Sequence, residues 1–174
     1  MGHVLKLPNL IIHPLNTTAH LSIAWSDIEM SKNMRIFLSH KGVDKPLVRR
    51  IYRILKHLGF DPWLDESDMD AGFMLEQDLL AGIKNSCAAV FFITPSLEDE
   101  NFLATEIDYA IGEKRRKHDR FSIITLVISE GDRKGKVPDL LKRYVWKQPE
   151  YEIEMLDEIL KALPLAVGDV GWRV

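Results

Sequence analysis

The chain has 174 residues, 46% of them hydrophobic, a formal net charge of −3 and a single cysteine. That suits one well-cored domain and is too short for two. The near-neutral charge supplies no global field toward nucleic acid or an acidic membrane, and the lone Cys87 excludes an internal disulfide and any multi-cysteine metal site.

Residues 1–33, including "NLIIHPLNTTAHLSIAW", carry short apolar pieces interrupted by Pro14 and Asn16, with no sustained period. They are expected to form an N-terminal extension of unassigned role before a folded domain at 34–174. Met30 and Met34 stand just ahead of the first regular segment, so either can serve as a start; the alternative is that the extension is a partner-dependent arm. From Arg35 the pattern turns regular, and "RIFLSH" predicts a short strand. Asp44 then stands at an N-cap position, Leu47, Ile51, Ile54, Leu55 and Leu58 share one helical face, and Gly59 closes the helix. "FDPWLDE" predicts the second strand and "LEQDLLAGIKNS" a helix with Leu75, Leu79, Leu80 and Ile83 inward. "AAVFFITPS" predicts a strand buried on both faces, as in a parallel sheet. "EDENFLATEIDYAIGEKRRK" reads as a helix with acids in its first turn and cations in its last, as the macrodipole prefers. Leu103, Ile107, Ala110 and Ile111 form its inward stripe, and Phe102, Glu106 and Tyr109 follow one another along its flank. "FSIITLVIS" predicts another buried strand, Gly131 to Lys136 a polar loop, and "VPDLLKRYVWKQP" a helical turn with an edge strand. "YEIEMLDEILKALP" is the closing amphipathic helix. Alternation of this kind predicts the α/β class: a flavodoxin-like, open parallel sheet of about five strands with helices on both faces.

Ligands in such a sheet bind outside the carboxyl ends of the strands. The candidates there are Ser39, His40, Lys41 and Gly42 after the first strand, Asp65, Glu66 and the following loop after the second, and Thr94 to Ser96 after the third. "SHKGVD" lacks the G-x-G-x-x-G that lets backbone approach a pyrophosphate, which argues against Rossmann-type hydride transfer. The strand ends "LSH" and "ITPS" also lack the acids that a phosphate-accepting receiver domain places there. His13, His20, His57 and His118 show no metal-ligand spacing, so no metal site is expected. The cations at Lys114 to Lys117 with Arg120 read as a solvated helix terminus rather than a nucleic-acid site.

Four pieces, "RIFLSHKG", "GFDPWLDESDMDAGFMLEQDLLAGIKNS", "AVFFITPS" and "ENFLATEIDYA", resemble in order and spacing the Toll/interleukin receptor (TIR) domain family over roughly residues 35–164. The first strand ends in Phe-x-Ser and a polar turn. The second reads aromatic-x-Asp before an acidic loop containing Gly72, the third ends near Ser96, and an aromatic residue stands four before a helical glutamate. The resemblance implies one of two functions. Many members cleave the nicotinamide–ribose bond of NAD, and others are non-enzymatic adaptors that act through TIR–TIR contacts. In the first case Glu106 is the catalytic residue, NAD is a substrate and no cofactor is needed. The aromatic partner, usually Trp, is Phe102 here, followed by Leu103 where the family often has Cys; that departure keeps the adaptor reading open.

The chemistry of the bond fits that mapping. Its cleavage builds an oxocarbenium-like ribose, so a carboxylate against the sugar hydroxyls stabilises charge that exists mainly in the transition state. Ser39, His40, Lys41 and Gly42 then offer hydrogen bonds and a positive charge to ribose or diphosphate; the other reading is that they cap the turn and meet water. Trp63 either stacks on a base or packs in the core. The loop holding Asp68, Asp70, Gly72, Phe73 and Met74 is, in the family, a surface that docks on a neighbouring domain; equally, Phe73 can fold back on its own helix. Head-to-tail docking would make rings or filaments of this chain. By family analogy, a defence or cell-death signalling role with a separate sensor or activator, in the cytoplasm, completes the expectation. No membrane span is expected, because no apolar run approaches the roughly 20 residues one needs, and the N-terminus lacks the pattern of a secretion signal.

Overall fold

The computed structural model describes residues 35–40, 42–64, 75–96 and 100–165, the side chains of 75 and 100–102 excepted. Its main sheet contains β1 (Arg35–Ser39), β2 (Asp61–Leu64), β3 (Ala88–Ile93), β4 (Ser122–Val127) and β7 (Trp146–Lys147), in the order β2-β1-β3-β4-β7. Every pairing in it is parallel. A small antiparallel hairpin, β5 (Ser129–Glu130) with β6 (Arg133–Lys134), stands apart. The helices are α1 (Lys45–His57), α2 (Leu75–Lys84), α3 (Glu100–Lys117) and α4 (Glu152–Ala162). The predicted five-stranded, doubly wound parallel architecture is therefore present.

Alternate side chains of each strand feed two cores, because successive residues point to opposite faces of a sheet. Ile36, Leu38, Val90, Phe92, Ile124 and Leu126 pack with α1 and α4 on one face. Phe37, Ala89, Phe91, Ile93 and Val127 pack with α2 and α3 on the other. All six residues of β3 are buried, which explains its unbroken apolar run.

The helix faces are narrower than the sequence pattern suggests. In α1 the buried stripe is Val48, Ile51 and Leu55, with Leu47 partly buried; Ile54 is 36% and Leu58 52% exposed. In α2, Leu79 and Ile83 are buried while Leu80 faces outward at 40% exposure. Both helices lie on one layer of a sheet, which covers a stripe and not half the cylinder. The α3 stripe of Leu103, Ile107, Ala110 and Ile111 is buried as expected.

Helix α1 ends as its sequence dictates. Gly59 adopts φ +89°, its N–H donates to Lys56 O (3.1 Å), and Phe60 N–H donates to Leu55 O (3.0 Å). That pair of bonds is the Schellman closure, and Phe60 packs against the same core as Leu55. The basic end of α3 is not simply solvated. Lys117 donates to Lys84 O and Ser86 O, both at 2.6 Å, and so caps the end of α2. Lys114 donates to His118 O and Phe121 O, both at 2.9 Å, closing its own helix. The polar loop predicted at Gly131 to Lys136 holds the turn and second strand of the β5–β6 hairpin, whose two-residue exposed strands carry no apolar period to betray them.

Cys87 is 6% exposed at the entrance to β3, and burial pushes its thiol up to about 11 from an ordinary value of 9.0. The folded state thus keeps a proton there that the unfolded chain releases earlier. This contribution to stability is present below pH 9 and is lost as pH rises toward 11. A thiol-reactive dye at pH 8 should label native protein far more slowly than protein in denaturant; equal rates would mean that the thiol is accessible.

Candidate active site at the switch point between β1 and β3

Strand order reverses at β1, whose neighbours β2 and β3 are reached by connections on opposite faces. In open α/β sheets the crevice beyond such a switch point is where ligands bind. Four buried polar side chains converge there: Ser39 closing β1, Asp44 just before α1, Thr94 just past β3, and Glu106 on α3. Their exposures are 2%, 6%, 1% and 1%, so all four are inside the fold although each is hydrophilic.

They form two hydrogen-bonded pairs. Ser39 Oγ donates to Glu106 Oε2. Thr94 Oγ1 donates to Asp44 Oδ2 at 2.8 Å. Buried polar groups are tolerated only when partnered, and here the partners come from different elements. The first pair ties the end of β1 to α3 and the second ties the start of α1 to the end of β3. The placement of Glu106 follows from helix geometry: Leu103, Ile107 and Ala110 face the sheet, and Glu106, one turn after Leu103, is drawn in beside them. Phe37 and Ser39 lie two apart on β1 and so share the face that receives α2 and α3.

Asp44 occupies the N-cap position of α1, but its carboxylate makes no capping bond to that helix. It reaches across 50 residues of sequence to Thr94 instead. The sequence pattern marks it as a cap because only local partners are visible there; the pairing with Thr94 has no local signal.

Other candidate residues are placed as follows. His40 is half-buried immediately after Ser39, and Gly42 is exposed with open space where a Cβ would be added. Trp63 is half-buried, with its ring stacked on Phe37 (centroids 5.5 Å apart, 29° between planes) and lying against Gly82. It therefore belongs to the α2-side core, two positions along the sheet from Ser39. Tyr109 donates from its hydroxyl to Glu76 Oε1 at 2.8 Å, linking α3 to α2 and not joining the buried pairs. Lys41, Asp65, Glu66, Asp68, Asp70, Gly72, Phe73 and Met74 lie outside the described residues, as do residues 1–34 and the side chains of Leu75 and Phe102. Among the described residues no His, Cys, Asp and Glu group could hold a metal ion, and no helix is long and apolar enough to cross a membrane. A pocket of about 270 Å³ lies on the other flank of α3, between Leu103, Ala104 and Ile107 and the segment from Lys136 to Leu140; Glu106 is not among its walls.

Comparison with known proteins places the chain in a family. The chain is 27% identical over 114 residues to the 2' cyclic ADP-D-ribose synthase BtTIR of Bacteroides thetaiotaomicron, an alignment covering 64% of this chain and 40% of that protein. The chain thus spans less than half the length of this curated relative. Among solved structures it resembles a metazoan TIR-STING receptor from C. gigas (TM-score 0.57, 20% identity, 78% of this chain and 41% of that one). It also resembles the RPS4 and RRS1 TIR domain heterodimer (TM-score 0.53, 12% identity, 74% and 94%). A further likeness is to the CMP N-glycosidase BcmB of Clostridium botulinum (TM-score 0.51, 18% identity, 74% and 99%). At these identities the solved structures speak for the fold alone. The family model described as the TIR domain matches residues 36–160, from β1 into α4, and the chain therefore belongs to the TIR domain family.

Proposed function

We propose that this TIR domain cleaves the N-glycosidic bond between nicotinamide and ribose in NAD, as a hydrolase or a cyclase. The observation that carries the reading is the buried carboxylate of Glu106, held by the Ser39 hydroxyl at the switch-point crevice. The likeness to a 2' cyclic ADP-D-ribose synthase supports it. As the C1'–N bond breaks, its electron pair goes to the ring nitrogen, nicotinamide leaves neutral and the ribose becomes oxocarbenium-like. No general acid is needed. A carboxylate bonded to the ribose hydroxyls stabilises that charge, and a site closed to bulk water strengthens the effect. Oxygen of water, or of a hydroxyl elsewhere in the substrate, then bonds to C1' and gives up its proton to solvent. The first nucleophile yields ADP-ribose and the second a cyclic isomer. We assign His40, Lys41 and Gly42, which follow β1 in the sequence, to the substrate's polar groups.

The test is nicotinamide release from NAD by concentrated protein, with and without a crowding agent, followed by identification of the nucleotide product. CMP serves as a comparison substrate, since the fold also carries an N-glycosidase of that name. Release from NAD supports the reading, and its absence from assembled, folded protein overturns it.

A second reading has two observations in its favour. Phe102 stands where the family usually has Trp, and the similar RPS4 and RRS1 domains were solved as a heterodimer. On this reading the chain acts by TIR–TIR contact without turnover. Self-association that occurs equally in active and Glu106-substituted protein belongs to both readings; turnover separates them. We assign the protein to cytoplasmic defence signalling on the same family grounds.

A further inference from the structure

The Asp44–Thr94 pair has no part in the chemistry just described, yet it is buried at the same edge of the sheet and ties the start of α1 to the end of β3. We propose that it is a positioning latch for substrate binding, an inference that rests on the NAD reading above. The single-turn 3₁₀ helix Gly42–Asp44 links the polar turn after β1 to α1. Its last residue, Asp44, is fixed to Thr94, which directly follows β3. Gly42 and Val43, both exposed, share that turn with Asp44, so the bond restrains the segment that leads away from Ser39.

The two buried pairs divide the work. Ser39–Glu106 orients the carboxylate and acts on the chemical step. Asp44–Thr94 orients the segment that meets the unreacting part of the dinucleotide, and so acts on binding. An interaction that serves substrate and transition state alike appears in KM, whereas one made only in the transition state appears in kcat. The pairs should therefore separate in kinetics. Thr94→Val removes the donor while keeping the side chain's shape, and leaves the Asp44 carboxylate without that bond in a buried position. KM for NAD should rise about tenfold with kcat within about twofold of the parent. Ser39→Ala should do the reverse, lowering kcat with little change in KM. Thr94→Ser, which restores the hydroxyl, and Asp44→Asn, which keeps an acceptor oxygen, should both return KM to within about twofold of the parent.

The experiment combines steady-state kinetics of nicotinamide release with amide hydrogen exchange at Gly42–Asp44 in the full chain, after circular dichroism has confirmed folding. Thr94→Val should speed exchange at these amides about tenfold or more and raise KM, with both effects cancelled by Thr94→Ser. Unchanged exchange, or a loss of kcat and thermal stability at constant KM, overturns the latch. So does failure of Thr94→Ser to rescue. Should Thr94→Val not fold, Thr94→Ala removes the same donor and carries the same test. If the parent protein releases no nicotinamide, the proposed reaction falls, and the exchange measurement still decides the latch. If the parent is active and exchange at Gly42–Asp44 ignores the hydroxyl of Thr94, the latch falls and the reaction stands.

Discussion

Replacing Glu106 by Gln is expected to lower nicotinamide release from NAD about 10³-fold while leaving the protein folded. The substitution is nearly isosteric. The Gln carbonyl oxygen can still accept the Ser39 hydroxyl, so the tie between β1 and α3 survives. What disappears is the negative charge. An oxocarbenium-like ribose gains far less from a neutral amide than from a carboxylate, and in a buried site little solvent screening softens the difference. The decisive comparison sets turnover beside thermal unfolding. Lost activity at unchanged melting temperature assigns the charge to catalysis, retained turnover removes Glu106 from the reaction, and loss of both would point to a merely structural carboxyl. Ala at this position is a poorer probe, because it leaves Ser39 without its bond and opens a hole beside Leu103 and Ile107.

Gly135→Ala should be among the most damaging substitutions in the domain, costing about 3 kcal/mol or preventing folding. A Cβ at that position would lie 1.9 Å from the carbonyl oxygen of Ile93 and 2.6 Å from its carbon. Those atoms are backbone at the end of β3 and cannot swing aside as a side chain could. Room is also denied by hydrogen bonding: Ile93 O accepts from Ile128 N–H at 2.9 Å, and Gly135 N–H donates to Ile128 O at 3.1 Å. Moving either chain apart breaks this ladder at the very end of the sheet that carries Thr94. Urea unfolding measures the cost. A variant with a parental midpoint would show that the 135–140 segment does not press on β3.

How much of this was legible in the sequence depended on the range of the interaction responsible. The runs AAVFFI and SIITLV announce β3 and β4 because burial on both faces demands continuous apolar character. The Schellman closure at Gly59 is likewise local, and the glycine and following Phe60 carry it openly. Ile54, Leu58 and Leu80 misled because periodicity reports an apolar face without saying how wide a strip the neighbouring layer covers. The β5–β6 hairpin carries no period at all, whereas β7 falls in the segment that reads as an edge strand. At the site, Ser39, Thr94 and Glu106 were readable from strand ends and family resemblance. Asp44 reads as a cap, since nothing near it in sequence foretells a hydroxyl 50 residues away.

The buried quartet also bears on when this protein could begin to act during its synthesis. Ser39, Asp44, Thr94 and Glu106 come from β1, the start of α1, the end of β3 and α3, so no short fragment holds the set. Parallel pairing makes matters slower still, because β1 must wait for β3, whose contacts with it span about fifty residues. A ribosome-bound chain therefore remains inert until α3 has emerged and three strands have docked. For a domain proposed to consume a metabolite that every cell depends on, the topology itself serves as a delay, built into the order in which the polypeptide is made.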